Sequence, residues 1–224
     1  MTTENNTSIT PEEKERLLQI HDSAKPFWLT PTIQLGPLLP TDKDALIRNL
    51  NDKRVISYLI GPPYPYTPKD ADEWIGARYE RMNQKTGTVL HLSFRDMARG
   101  GLLIGAIGMT QGSDELLDGD DTGYWLDPAY HGQGLMSKAL QWILLEIGIK
   151  QGGKRKFNSH AFMGNWASRR TMEKAGFVYQ PDLKKEYVKD GETIHAWRFR
   201  FYLTEEDVVN LQVIEEAKPD PTLL

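Results

Sequence analysis

No cysteine occurs anywhere in this chain of 224 residues. Disulfides, thiolate metal sites and a cysteine nucleophile are thereby excluded, and no metal is expected. Any acyl transfer must go straight to the acceptor or use another nucleophile, since no acyl-cysteine can form. Long apolar runs are missing too, so no stretch is suited to span a membrane. The opening residues, MTTENNTS, are polar and unlike a signal peptide. Positive charge is not in excess. The formal net charge is -4, which argues against nucleic acid or an anionic membrane as a general partner. These absences together predict a cytoplasmic protein. No internal repeat is present. The hydrophobic fraction of 39% is on the low side but enough for a core. The length suits one domain with extensions: residues 1–25 before it, the domain over 26–204, and a tail over 205–224.

What is there centres on GYWLDPAYHGQGLMSKALQWILLEI, Gly123 to Ile147. Tyr124, Trp125 and Leu126 suit a buried strand. Asp127-Pro128 ends it, because proline has no N–H for a ladder. Gly132 and Gly134 follow. Then Met136, Ala139, Leu140, Ile143, Leu144 and Ile147 recur at helical spacing. The first N–H groups of that helix have no partner within it and carry partial positive charge. Glycines just before them let a phosphate approach the backbone closely. A tight turn is the plainer reading of Gly-x-Gly. A P-loop is excluded, because Leu135 and Met136 stand where lysine and serine or threonine belong. A dinucleotide fingerprint is disfavoured by Ser137 at its third glycine. Nor does an acid end the next strand, where His160 and Ala161 fall.

Elsewhere the pattern is legible in order. Thr10-Pro11-Glu12-Glu13 predicts a helix start, with the helix reaching about His21. Ile33 to Leu35 begins the first strand. Asp42 to Asn51 is a short helix capped by Thr41, and Lys53 to Leu59 a second. Gly61 to Pro68 is a proline-tyrosine loop, after which Thr67-Pro68-x-Asp70 caps a longer helix through Trp74, Ile75 and Tyr79. Val89 to Phe94 alternates as a half-buried strand does, and Leu102 to Met109 is an apolar, glycine-spaced strand. An acidic loop with Asp114, Glu115, Asp118, Asp120 and Asp121 leads to Tyr124. Lys154 to His160 is a strand and Trp166 to Ala175 a helix. Tyr187 to Lys189 and Thr193 to Leu203 form a hairpin around Asp190-Gly191.

Three segments carry a family resemblance. The loop at His131, Gly134 and Met136 resembles the acetyl-CoA loop of the GNAT superfamily of N-acetyltransferases, Arg/Gln-x-x-Gly-x-Gly/Ala, and departs from it at His131 and Met136. NWASRRTMEKAGF, Asn165 to Phe177, resembles the family's Asn-x-x-Ser/Ala-x-x-Leu-Tyr-Glu-Lys-x-Gly-Phe helix. It matches at Asn165, Ser168, Glu173, Lys174, Gly176 and Phe177. GPPYPYTPKDADEWI, Gly61 to Ile75, is similar to the RimJ/RimL-like branch that acetylates ribosomal proteins. The resemblance implies an α/β (α+β) fold with a mixed, mostly antiparallel sheet of about seven strands, splayed where acyl-CoA binds. It implies acetyl-CoA as co-substrate. Tyr124 and Leu126 would offer backbone groups to its pantetheine arm. His131, Gly132, Gln133, Gly134, Leu135, Met136 and Ser137 would hold its pyrophosphate. Asn165 would bond the arm, unless it serves only as a helix N-cap.

The chemistry implied is transfer of an acetyl group to a small cationic amine or a peptide N-terminus. A lysine-like amine of pKa ~10.4 is only about one part in a thousand neutral at pH 7.4, so a base is needed. No residue announces itself as that base; His160 is one candidate, or a structural histidine. The Leu126 amide would stabilise the oxyanion. Many members protonate the departing thiolate with a tyrosine seven residues after the asparagine, where this chain has Met172. Ser168 is the substitute, or a helix-surface hydroxyl. Tyr64 and Tyr66 would face the acceptor or pack on proline. Asp120 and Asp121 would attract its ammonium group or be merely solvated. A non-catalytic acyl-CoA sensor is the competing function, motivated by His131, Met136 and Met172. A homodimer is left open.

Overall fold

In the computed structural model, Thr10 opens the first helix, α1 (Pro11–Asp22), accepting from the Glu13 amide at 3.2 Å as an N-cap should. The structure describes residues 9–83, 88–110, 120–151, 153, 155–183 and 185–206. The chain forms two units, Met1–Gly108 with Tyr124–Leu135 and Met109–Gly123 with Met136–Leu224.

After α1 the first unit holds β1 (Phe27–Trp28), β2 (Ile33–Gly36), α2 (Lys43–Leu50), α3 (Lys53–Ile56) and α4 (Pro68–Gly76). It continues with β3 (Met82–Asn83), β4 (Thr88–Val89), β5 (His91–Asp96) and β6 (Leu102–Thr110), then the end of β7 (Asp120–Leu126). Strands β1, β2, β5 and β6 lie side by side, antiparallel, while β3 and β4 pair separately. The core gathers Leu46 and Leu50 from α2, Val55 from α3, Ala71 and Ile75 from α4 and Leu103 from β6. The capping box at Thr67 and Asp70 forms as the sequence predicts.

The cap expected at Thr41 does not form. Asp42 precedes α2, and its carboxylate instead accepts from the Leu39 amide and the Arg95 guanidinium. Arg95 also donates to the carbonyls of Pro37 and Gly101. That buried pair ties β5 to the start of α2. β5 is buried on both faces rather than one, because this central strand is covered on either side. Asp22 receives a two-pronged ion pair from Arg78, at 2.9 and 2.7 Å, fastening α1 to the turn after α4.

The second unit takes the last two residues of β6, the start of β7 and then all but the first residue of α5 (Leu135–Trp142), which continues as a wider π-type turn over Ile143–Gln151. Next come β8 (Lys156–Phe162), α6 (Trp166–Lys174), β9 (Val178–Tyr179), β10 (Lys185–Lys189) and β11 (Glu192–Tyr202). β7 runs parallel to β8, with Asp120–Thr122 facing Phe157–Ser159. β8, β11 and β10 follow antiparallel, and β9 also pairs β11. Asp190 and Gly191 both take left-handed φ, 53° and 81°, at the hairpin turn. Among the described residues the mixed, mostly antiparallel sheet has nine strands where about seven were expected. The two-residue β1 and β9 are too short to leave a periodic signal. Gly148 is needed where it is, because a Cβ there would run into the Phe157 ring.

Side-chain alternation gives the second unit's sheet two unlike faces. Phe157, Phe199 and Phe201 share one, with Phe177 and Tyr179 against them. Asp121, Asn158, His160, Tyr187, Arg198 and Arg200 share the other. No helix among the described residues is long and apolar enough to cross a membrane.

Candidate active site

In the first unit the site is built on the end of β7. The Asp127 amide donates to the Ile104 carbonyl on β6 at 2.7 Å. Strand alternation therefore turns the Leu126 and Tyr124 amides toward the opposite edge. Gly105 permits this close approach. A Cβ there would lie 2.7 Å from the Trp125 carbonyl oxygen. Beyond the strand, Asp127 caps the turn at Ala129, and the Tyr130 hydroxyl donates to Asp96 at 2.6 Å. Arg99 donates to the same hydroxyl. Burial, helped by the Asp96 carboxylate, pushes the Tyr130 hydroxyl above its ordinary pKa. This clamp at the root of the loop was missed in the sequence. A tyrosine between the proline turn and the glycines was its one signal.

The loop glycines take left-handed backbone, φ 77° at Gly132 and 72° at Gly134, with nothing within 4 Å of a Cβ at either. Gln133 between them is exposed. His131 does something else. Its Nε2 lies 2.9 Å from the Leu126 carbonyl oxygen, holding the strand end. Leu135 and Met136 turn their side chains into the interior, so only their backbone remains for a ligand. The Ser137 hydroxyl donates to the Thr171 carbonyl at 3.4 Å, bolting α5 to α6.

In the second unit, Asn165 is the N-cap of α6, its Oδ1 accepting from the Ser168 amide at 3.1 Å. The NH₂ end of the amide is left to donate elsewhere. Ser168 is half-buried on the first turn. Met172 is wholly buried, so the position of the family's tyrosine is a packing position here. His160 and Asp121 come together, Nδ1 to Oδ2 at 3.5 Å. Asp121 is thus not a loop residue but part of β7, as is Asp120. The Asp120 side chain, and Asp114, Glu115 and Asp118 altogether, lie outside the described residues.

The two tyrosines part company. Tyr64 is exposed. Tyr66 belongs to the core, its hydroxyl donating to the Asp70 carbonyl. Burial, with the Asp70 charge, pushes that hydroxyl's pKa up to about 12. Tyr66 is therefore corrected from an acceptor contact to a packing residue.

A strand, a glycine loop with left-handed backbone and a helix, in that order, suit a pyrophosphate-bearing co-substrate. Residues 33–178 match the family described as Acetyltransferase (GNAT) domain. The chain belongs to the GNAT acetyltransferase family. It is thus an acyltransferase that draws on acetyl-CoA. No curated protein matches the chain in sequence. Solved GNAT structures share its fold. The ribosomal-protein-S5-alanine acetyltransferase from Vibrio fischeri is 14% identical, covering 81% of this chain and 98% of its own, with a TM-score of 0.66. RimL, a ribosomal L7/L12 α-N-protein acetyltransferase solved with coenzyme A, is 17% identical, covering 82% and 99%, with a TM-score of 0.65. The microcin C7 self-immunity acetyltransferase MccE, solved with acetyl-CoA and AMP, is 18% identical, covering 78% and 94%, with a TM-score of 0.63.

Proposed function

We propose that this GNAT enzyme moves an acetyl group from acetyl-CoA directly to a primary amine, either a small cationic amine or a peptide N-terminus. The observation that carries the reading is the open, left-handed backbone at Gly132 and Gly134 between β7 and α5. A Cβ at either glycine would occupy the space a phosphate needs. The residues present therefore fit acetyl-CoA. Gly132, Gln133, Gly134 and the first amides of α5 would hold its pyrophosphate, and Tyr124, Leu126 and Asn165 its pantetheine arm. When bound, it supplies an acetyl group activated as a thioester. The Leu126 amide donates to the carbonyl oxygen as negative charge builds there. Ser168 relays a proton from a water to the leaving sulfur. This help is modest, because a thiol of pKa ~8.5 already leaves tolerably. His160 takes the amine's proton.

The two ribosomal-protein acetyltransferases above favour a peptide N-terminus, and the acidic run Asp114 to Asp121 favours a cation. A cytoplasmic workplace, where acetyl-CoA is at hand, belongs to the same reading. The test is release of free coenzyme A thiol from acetyl-CoA with spermidine and with short peptides bearing free N-termini. Saturable, amine-dependent release is expected. Binding of acetyl-CoA with no release above the uncatalysed rate would return the chain to a sensor.

A further inference from the structure

The charged side of the second unit's sheet collects groups that a merely structural strand does not need. We propose that Asp121 is a positioning residue that holds His160 as the general base, its Nδ1–H toward the carboxylate and its Nε2 bare for the amine proton. This rests on the N-acetyltransferase reading above.

Parallel pairing sets Asp121 beside Asn158, and His160 is the next residue on that face of β8. His160 Nδ1 and Asp121 Oδ2 are 3.5 Å apart. That is long for a hydrogen bond, as such contacts often are before substrate binds, and it shortens as the ring gains charge. The carboxylate is already oriented. Its other oxygen, Oδ1, accepts from the Thr122 amide at 2.9 Å. The strands beneath it are stitched by hydroxyls: Ser159 donates to the Thr122 carbonyl at 3.1 Å, and Thr122 to the Asn158 carbonyl at 3.4 Å. The imidazole is steadied on its face by the Tyr187 ring, centroids 5.0 Å apart, and Tyr187 in turn leans on Phe162. Arg198 stands opposite His160 on β11 and shares its face, as does Asn158 on its own strand. Side chains of His160 and Asp121 are 28% and 32% exposed. That leaves the ring reachable by a ligand, yet shielded enough for the carboxylate to matter.

Nδ1 and Nε2 lie across the ring from each other. A carboxylate at Nδ1 fixes the tautomer that leaves Nε2 as the acceptor. The step then balances. The nitrogen lone pair forms the C–N bond to the acetyl carbon. The carbon–oxygen π pair moves onto oxygen and returns as the C–S bond breaks, and sulfur departs with that bond's electrons. The proton shed by nitrogen goes to His160 Nε2, and Asp121 balances the imidazolium charge. Nothing is oxidised or reduced.

Two measurements test this on the full chain. The first is the ring ¹⁵N–¹H correlation spectrum of His160 at pH about 8.5, where a free imidazole is neutral. The wild type should show the Nδ1–H form, and Asp121→Ala should move it toward Nε2–H. An Nε2–H wild type, or a pattern unchanged by Asp121→Ala, overturns the proposal. The second is thiol release with acetyl-CoA and whichever of spermidine or the peptides turns over faster. His160→Gln should lower kcat by about 100-fold or more, the usual worth of a general base. Asp121→Asn should lower kcat by about tenfold to a hundredfold, since the base remains, with KM for acetyl-CoA within about twofold. Asp121→Glu should recover part of that loss. Wild-type kcat in His160→Gln or Asp121→Asn refutes the assignment while leaving the enzyme reading intact. No turnover by the wild type with any amine refutes the enzyme reading, and this proposal with it.

Discussion

Replacing Gly134 by alanine separates what the loop does for the fold from what it does for the ligand. Gly134 sits at φ 72°, and a Cβ there meets nothing within 4 Å. The folded protein thus has room for the methyl group, and the cost is backbone strain alone. An L-residue in left-handed backbone costs roughly 1–2 kcal/mol, which for a chain of this size lowers Tm by about 2–8 °C. The ligand loses more. The methyl group would stand where a phosphate approaches the main chain, and losing one charged hydrogen bond there costs about 1.5–3 kcal/mol. That is a roughly 10- to 150-fold weaker Kd for acetyl-CoA, read by calorimetry beside a thermal melt. The control is Gly100→Ala. Gly100 has φ 70° and equally open surroundings, in the turn between β5 and β6. It should show the same melting shift with no change in Kd. Equal Kd in wild type and folded Gly134→Ala, or equal weakening in both variants, would refute the placement of the phosphate.

Other outcomes follow from the same geometry. Asn165→Asp keeps the acceptor that caps α6 but loses the amide donor, so its melting temperature should hold while KM for acetyl-CoA rises several-fold. Asn165→Ala should raise KM and also cost about 1 kcal/mol of stability. Asp42→Ala strands the Arg95 guanidinium, whose side chain is only 6% exposed, and should cost about 3–5 kcal/mol in urea unfolding. Asp42→Leu with Arg95→Met should recover most of it. His21 is held below its ordinary pKa by burial, against the raising pull of Asp22. The unfolded chain therefore binds that proton more readily, so stability should fall on acidification through about pH 6.5. Urea midpoints between pH about 5 and 8 should lose part of that slope in His21→Gln.

Local signals carried far in the sequence. Thr10 before α1, Thr67 and Asp70 before α4, and Asp190-Gly191 in the last hairpin each did what their chemistry implies within a few residues. Asn165 was legible as a cap for the same reason. Thr41 misled because Asp42 was claimed by a partner 53 residues away, Arg95, which no local pattern shows. Asp121 and His160 were each visible as candidates but not as a pair. Only the parallel pairing of β7 with β8 joins them, and register between distant strands leaves no periodic trace. His131 entered the loop's ligand set through the resemblance alone, and the contact its ring makes with the Leu126 carbonyl left no local signal.

The stretch that matches the family starts at residue 33, yet folding does not respect that line. Leu17 is buried, Lys14 lies over the Tyr79 ring, and Asp22 holds Arg78, a residue well inside the matched stretch. A chain shortened to the family's own limits would leave that arginine facing the gap where a helix had been. For anyone trimming this protein, the family's first residue is thus a poor place to cut. The helix before it is a wall that residues inside the matched stretch lean on.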